Sequence, residues 1–428
     1  MADLLGEDFK IAQKDTLYRC HDRLLKHKED LFRHLKSRWE TLFDARCEVL
    51  LYDLTSTYFE SNPPSDDKRK FGYSRDKRSD CVQVVIALVV TPEGFPLGYE
   101  VMAGNTADNT TLRGFLKRIE KQHGKAERIW VMDRGIPTEE VLAEMRESST
   151  PVYYLVGTPK GRLSRFEEQL TQKPWKIVRE DVSVKLVRED QEIYVYAQSR
   201  NRIQKERAIR KRRLRGLLGQ LNELGQRKRL TRDELLMKLG AARKEAGRNY
   251  RLLEITVPEP GEPISPETFH WRINPKKYRE AYRREGRYLL RSNLPPDDPG
   301  RLWEYYIQLT EIEEAFRNLK GDLAIRPIHH QLESRIEAHI FIAFLAYCLH
   351  VTLKQRCKQH AGGLTPRSVL EQLKAMQMID VLIPTVDGRW LKMSQYTRPD
   401  KAQQLLLAQL HMELPPQPPP EITREQFK

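Results

Sequence analysis

Two apolar segments of this chain each run directly into an aspartate. Asp53 follows the segment 49–52 (VLLY), and Asp133 follows the segment 128–132 (RIWVM). Buried strands of a parallel sheet have this composition, and neighbouring parallel strands end at the same sheet edge. Two carboxylates at one edge repel each other and raise a pKa unless they share a cation. The pattern predicts either a pair of metal ligands or two turn caps, and the local composition alone favours the caps.

A third carboxylate lies on a segment with helical periodicity, residues 300–320. Tyr306, Glu313 and Lys320 are seven residues apart, about two helical turns, so they lie on nearly one face. Arg317 lies one turn beyond Glu313 on the same face. This polar stripe could contact a metal ion or a phosphate, or it could face solvent with a Glu–Arg pair. Helical geometry alone favours the solvent-facing alternative.

A helical hairpin is predicted over residues 201–247, and its first helix is strongly basic. Leucines at helical spacing face each other across its two helices, 201–225 and 231–247. Glu206 is the one acid among the cations of residues 202–215, which are Arg202, Lys205, Arg207, Arg210, Lys211, Arg212, Arg213 and Arg215. A helix of one charge sign can neutralise phosphates, whereas an isolated charge run is usually a solvated face. The sequence leaves these alternatives equally open.

The elements that must position these residues follow an α/β order. Helices are predicted over residues 10–45, and three antiparallel strands follow between residues 47 and 105. Alternation of helices and strands around Asp133 continues the α/β pattern. Strands dominate residues 157–293, and an apolar helix over 332–358 is expected to pack under the sheet. The fold class is therefore α/β, interrupted by a β-rich insertion.

The composition indicates a globular protein with an anionic partner. The 428 residues are 39% hydrophobic and 31% charged, with a formal net charge of +14. Such an excess of Lys and Arg points to nucleic acid as the commonest polyanion. Five widely spaced cysteines without a C-x-x-C pair predict neither a disulfide framework nor a zinc site. The longest apolar window, 340–349, is too short to span a bilayer, and no signal peptide is visible, so we expect a cytoplasmic protein without membrane contact.

The flanks of the three acids resemble one family, the DDE transposases of bacterial insertion sequences. Asp53 in YDLTSTYFE matches the first acid of that family, and Asp133 in VMDRG matches the second. Glu313 matches the third, within a pattern that resembles the Tyr-Arg-Glu-Lys signature of the branch with a β-rich insertion. That pattern is Tyr306-x2-Leu309-x3-Glu313-x6-Lys320, with Leu309 where the family usually has Arg. Other segments similar to the family are GYSRDKRSD (72–80), GNTADNTTL (104–112) and RPIHH (326–330).

The resemblance implies a ribonuclease-H-like mixed sheet flanked by helices and interrupted by a β-rich insertion with a basic helical hairpin. The expected organisation is an N-terminal helical region (1–46), the first part of the core (47–157), the insertion (158–294), the second part of the core with the catalytic Glu (295–360), and a C-terminal helical region with a tail (361–428).

The resemblance also implies the chemistry and the partners. Asp53, Asp133 and Glu313 are expected to hold two Mg²⁺ ions, for which Mn²⁺ can substitute. With them the protein would cut DNA at terminal inverted repeats and join the 3′ ends to target DNA, as a homodimer on DNA at the nucleoid. DNA phosphates are expected at Tyr306, Arg317, Lys320, Arg134, Arg210, Lys211, Arg212 and Arg213. Trp271 is a candidate for stacking on a flipped base, although a core tryptophan is the favoured alternative.

Two alternatives to an active transposase stay open. Because the chain begins close to the core, we also consider a truncated, inactive copy that only binds DNA. The other alternative is a non-transposing nuclease of the same fold, which would cut DNA without strand joining.

Overall fold

The computed structural model describes residues 14–60, 68–124, 126–150, 152–158, 166, 173–189, 191–227, 230–295 and 298–423. Residues 10–13 of the predicted N-terminal helices lie outside this part. The chain splits into two compact units. Unit 1 is Met1–Tyr153 with Tyr305–Lys428, and unit 2 is Tyr154–Glu304, so the second unit interrupts the first in sequence.

The first part of unit 1 forms a mixed sheet with helices. Its elements are α1 (Lys14–Leu25), α2 (Lys28–Phe43), β1 (Val49–Tyr58), β2 (Gln83–Val90), β3 (Pro96–Ala103), α3 (Leu112–His123), β4 (Arg128–Met132) and α4 (Glu139–Glu147). The strand order is β3-β2-β1-β4, in which β2 is antiparallel to both neighbours and β1 is parallel to β4. The three predicted antiparallel strands and the parallel neighbour of β1 are confirmed.

Aromatic side chains cover both faces of this sheet. On one face the ring of Phe115 in α3 lies 5.1 Å from the ring of Tyr52, measured between centroids. On the other face Tyr99 of β3 stacks on Phe344 at 4.1 Å. Every residue of β2 is buried, which explains why its sequence is apolar without alternation from Val84 to Val90 and rich in β-branched residues.

Unit 2 combines an antiparallel sheet with a helical hairpin. Its elements are β5 (Val152–Thr158), which begins in unit 1, β6 (Lys176–Arg179), β7 (Val182–Glu189), β8 (Glu192–Ser199), α5 (Arg200–Gln226), α6 (Arg232–Ala246), β9 (Leu253–Thr256), β10 (His270–Ile273), α7 (Pro275–Arg284) and β11 (Arg287–Ser292). Strands β5-β11-β8-β7-β6 are antiparallel throughout. The predicted fold class, a mixed sheet flanked by helices with a β-rich insertion and a helical hairpin, is confirmed.

The helical hairpin of unit 2 forms because its ends are capped and its leucines interlock. The Ser199 side chain accepts a hydrogen bond from Arg202 N at the start of α5, and Thr231 forms a capping box with Glu234 at the start of α6. A buried cluster joins the two helices through Leu214, Leu217, Leu221, Leu224, Leu235 and Leu239. Helix α7 is an addition to the sequence prediction, although Asn274-Pro275 is a helix-start signal.

The second part of unit 1 contains helices and a small sheet. Its elements are α8 (Pro299–Ile307), which begins in unit 2, α9 (Leu309–Lys320), α10 (Glu333–His360), α11 (Pro366–Leu373), β12 (Met378–Pro384), β13 (Trp390–Tyr396), α12 (Lys401–Gln409) and β14 (Glu421–Thr423). Residues 361–428, predicted as a helical region with a tail, contain the helices α11 and α12. The antiparallel sheet β12-β13-β14 between and after them was not predicted.

The single helix predicted over residues 300–320 is wrong, because the structure breaks it at Gln308. Gln308 N donates to Tyr305 O and Glu311 N donates to Gln308 O, both three residues back, which is a tighter turn than an α-helix. The Thr310 hydroxyl donates to Ile307 O at 2.9 Å and competes for a helical carbonyl. The side-chain stripe expected along one continuous helix is therefore divided between α8 and α9.

Helix α10 confirms the apolar helix predicted over residues 332–358. Among the described residues, this one helix of 28 residues is long and apolar enough to cross a membrane, and half of its most apolar window is buried inside the protein. Phe341, Phe344 and Tyr347 are among its buried residues. A core helix meets the same criteria, so length and composition are weak evidence for a membrane span.

Candidate active site

The strand register places Asp53 beside Asp133. The parallel pairing of β1 with β4 runs to Tyr52↔Met132, and each aspartate is the next residue of its chain segment. Neighbouring strands lie about 4.8 Å apart, so the two carboxylates start from adjacent backbone positions. Asp133 follows the end of β4 as predicted. Asp53 does not end its strand, because β1 continues to Tyr58 through its pairing with β2, in which Asp53 lies opposite Leu88.

The electrostatics of Asp53 confirm that like charges meet here. The pKa of Asp53 is raised from 3.8 to about 7, chiefly by burial and also by the carboxylates of Asp133 and Asp108. The Leu54 backbone N–H, at 2.8 Å from Oδ1, and the Arg75 guanidinium partly offset this increase in the pKa. Carboxylate oxygens are the hard donors that Mg²⁺ prefers, and a shared cation would relieve the repulsion between Asp53 and Asp133, so this pair fits a divalent cation.

Glu313 is the free carboxylate among three on α9. The helix packs against β1 and β2. Lys354 Nζ lies 2.9 Å from Glu311 Oε2 and 3.0 Å from Glu314 Oε2, so both neighbours are neutralised. Glu313 is exposed, and no hydrogen bond or ion pair joins it to another described residue. No group of three or more His, Cys, Asp or Glu side chains in the described part of the chain could hold a metal ion as the side chains stand. The structure thus places Asp53 and Asp133 together, whereas the Glu313 carboxylate does not form one group with them.

The polar residues predicted around the third acid lie at different places. The Tyr306 hydroxyl donates to Asp133 Oδ1 at 3.4 Å, which puts α8 next to the second aspartate. Lys320 Nζ donates to Asp76 Oδ1 at 2.8 Å at the end of α9, whereas Arg317 is exposed. Arg134 is also exposed, and its backbone N–H donates to Asp133 Oδ1 at 2.7 Å.

Three charged residues of the family-like segments, Arg75, Asp76 and Arg326, were missed by sequence reasoning. Arg75 lowers the pKa of Asp53 and pairs with Asp108. Asp76 forms ion pairs with both Lys320 and Arg326 through its Oδ1, and its side chain is only 8% exposed. The segments GYSRDKRSD and RPIHH contain these residues, so the signal was present in the sequence, but no role had been assigned within either segment.

The predicted DNA contacts of unit 2 divide into buried and exposed side chains. Arg210 is 5% exposed and pairs with Glu285, which is 7% exposed, while its guanidinium lies 4.5 Å from the Tyr278 ring centroid. Because this charge is neutralised inside the unit, the prediction that Arg210 contacts DNA is not supported by its position. The other predicted contacts, Lys211, Arg212 and Arg213, are exposed.

Trp271 lies on β10 and packs within the hairpin's hydrophobic cluster. Its ring centroid is 5.3 Å from that of Phe269, and it is partly buried against the leucines of the hairpin. This position matches the alternative of a core tryptophan, which the sequence favoured.

Comparisons with known proteins identify the family. Residues 44–349 match the family described as Transposase DDE domain. No curated protein matches the chain. One similar solved structure is the cryo-EM structure of the piggyBac transposase synaptic complex with hairpin DNA, at 9% identity and a TM-score of 0.37, covering 86% of this chain and 66% of that one. The family match spans well over half of the sequence and contains all three acids, and the chain therefore belongs to the transposase DDE domain family.

Proposed function

We propose that this protein is the transposase of a DNA insertion sequence, which cuts the terminal inverted repeats and joins the 3′ ends to target DNA. The observation that supports this most directly is the Asp53–Asp133 pair, which the parallel register places side by side and in which burial leaves Asp53 poorly solvated. Two metal-binding aspartates from neighbouring strands suit phosphoryl transfer, in which catalysis is mainly positioning and charge stabilisation.

The chain's own residues hold and orient the reacting groups in this proposal. Asp53 and Asp133, with Glu313 from α9, would hold two Mg²⁺ ions. A bound pair of ions supplies activation of a water or 3′-hydroxyl and stabilisation of the leaving oxygen. Tyr306, which donates to Asp133, orients that carboxylate, and Lys320 would contact a DNA phosphate on releasing Asp76, with which it is paired. Arg317 and Arg134 are exposed cations that can contact the same phosphates.

The exposed cations of α5 extend the proposed DNA contact to unit 2. Lys211, Arg212 and Arg213 are accessible to phosphates, and Arg210 fixes the helix that carries them. A homodimer on DNA and a cytoplasmic location at the nucleoid complete the proposal.

A cleavage assay tests the proposed function. Purified protein is incubated with the ends of the DNA element that flanks its coding region, with Mg²⁺, with Mn²⁺ or with EDTA, and cut and joined products are separated. Asp53→Asn, Asp133→Asn and Glu313→Gln should each reduce metal-dependent cleavage by about 10³-fold or more while DNA binding survives. Glu314→Gln is the matched control, because this carboxylate is one helical position away and already paired with Lys354.

The proposal would be overturned by cleavage that persists in EDTA or in the three variants. Cutting without joining would instead support a non-transposing nuclease.

A DNA-binding protein without catalysis is the second candidate function. The observation that favours it is the position of Glu313, which does not close with the two aspartates into a three-residue group within the described residues. DNA binding without cleavage by the unaltered protein, with either metal present, would establish this alternative.

A further inference from the structure

Two large aromatic side chains are exposed on the loop of residues 68–81 beside the paired aspartates. Tyr73 is 84% exposed and Phe71 is 64% exposed. Neither ring contacts another aromatic ring within the described residues. Exposed aromatic rings that are close in sequence mark interaction surfaces more often than single scattered apolar residues do.

The backbone between the two rings is held tightly against the sheet. A Cβ added at Gly72 would lie 2.1 Å from Gly104 O, so only glycine allows this close approach. The Gln83 side chain, 1% exposed, donates to Gly104 O at 2.8 Å and to Tyr73 O at 3.1 Å. Gly72 therefore faces the protein, while Phe71 and Tyr73 on either side of it are presented to solvent from a fixed backbone.

The same loop is strongly basic and leads to the aspartates. Residues 68–81 contain six Lys or Arg residues and two Asp residues. Two residues beyond Tyr73, the Arg75 backbone N–H donates to Ser56 Oγ at 3.4 Å. The Arg75 guanidinium also lowers the pKa of Asp53. The Asp76 carboxylate forms ion pairs with Lys320 and Arg326. Exposed aromatic rings among cations suit a ligand that has both aromatic and anionic groups.

We propose that the loop of residues 68–81 is a stacking platform for unpaired nucleobases of single-stranded DNA, with Tyr73 and Phe71 as the stacking side chains. Bases of an intact duplex are stacked on one another and cannot offer their faces, whereas bases of a frayed or single-stranded end can. Lys77, an exposed cation of the same loop, binds the backbone phosphates of the strand. This inference rests on the proposed DNA substrate and adds which form of DNA the loop selects.

Binding of DNA oligonucleotides to the full chain tests this platform. A fluorescently labelled single strand and the blunt duplex of the same sequence are titrated in EDTA, so that cleavage plays no part. Tyr73→Ala should weaken binding of the single strand by about 5- to 100-fold and leave duplex binding unchanged, because stacking on one aromatic ring contributes affinity of that order. Tyr73→Phe should retain the affinity, because it keeps the ring. Phe71→Ala should show the same selective loss as Tyr73→Ala.

Lys77→Ala is the matched control on the same loop, since Lys77 is exposed and charged but not aromatic. It should weaken binding of both DNA forms and lower the salt dependence, whereas Tyr73→Ala should leave the salt dependence unchanged.

The platform would be rejected if Tyr73→Ala bound the single strand like the unaltered protein. Equal loss of single-strand and duplex binding by Tyr73→Ala would also reject it, because that loss is not stacking. These outcomes are independent of cleavage, so they are distinct from failure of the proposed function, which the metal-dependent assay detects in the unaltered protein.

Discussion

Buried charge is handled in opposite ways at the sheet edge of unit 1 and in the helical hairpin of unit 2. At the sheet edge, the pKa of Asp53 is raised to about 7, chiefly by burial and also by the carboxylates of Asp133 and Asp108. In the hairpin, Arg210 and Arg207 pair with the buried carboxylate of Glu285, with Arg207 Nε at 3.2 Å from Oε2. Like charges accumulate in the first region, and opposite charges cancel in the second.

The difference separates a binding site from a structural ion pair. Folding must oppose the repulsion at the sheet edge, and an arriving cation removes it, so that region is prepared for a ligand. The hairpin cation already has its partner, and a DNA phosphate would have to displace Glu285 to reach it. Loss of a buried charge should therefore have opposite effects on stability in the two units.

The largest expected effect is in the hairpin. Glu285→Gln removes the carboxylate that neutralises Arg210 and should lower the free energy of unfolding by about 3–5 kcal/mol, because a buried guanidinium is left without a counter-charge. Urea unfolding of the full chain, followed by tryptophan fluorescence, measures it. Glu223→Gln is the control, since its pair with Arg227 is exposed and should contribute almost nothing. Equal effects of the two variants would contradict the assignment of Glu285 as a buried partner.

The opposite sign is expected at the sheet edge. Because the folded pKa of Asp53 is about 7 and its usual value is 3.8, the unfolded chain releases this proton first and stability falls as the pH rises between those values. Asp53→Asn removes this loss and should raise the free energy of unfolding by roughly 2–4 kcal/mol at pH 8.

Thermal or urea unfolding in EDTA at pH 8 and at pH 3.5 checks this prediction, and the two proteins should be equally stable at the lower pH. If Asp53→Asn were less stable than the unaltered protein at pH 8, loss of charge would have the same effect on stability in both regions, and the contrast between them would be wrong.

The smallest expected effect concerns the exposed cations of the hairpin. Lys211→Ala combined with Arg212→Ala should leave stability unchanged and reduce the slope of log affinity against log salt by about 2, because about 0.9 counterion is released per phosphate contact. Arg210→Ala should do the reverse, with lower stability and an unchanged slope. DNA binding measured across a salt series distinguishes the two kinds of variant. An unchanged slope in the double variant would show that α5 does not contact DNA.

The prediction from sequence was most accurate where a pattern is local. The apolar segments before Asp53 and Asp133 predicted neighbouring parallel strands, and the register confirms them. The leucine spacing predicted the interlocked hairpin over residues 201–247. Strand and helix periodicities are set by residues a few positions apart, so one sequence reports them directly.

The long-range contacts of the charged side chains were decided only by the tertiary structure. Arg210 lies 75 residues from Glu285 in sequence, and Lys320 lies 244 residues from Asp76, so no local pattern indicates that they meet. The stripe of Tyr306, Glu313 and Lys320 depended on one unbroken helix, which the turn at Gln308 prevents. The sequence alone therefore determined which acids are candidates for catalysis, through their apolar flanks and family motifs. The packing of distant segments determined which charges remain available, because a charge is neutralised by whatever residue the fold brings beside it.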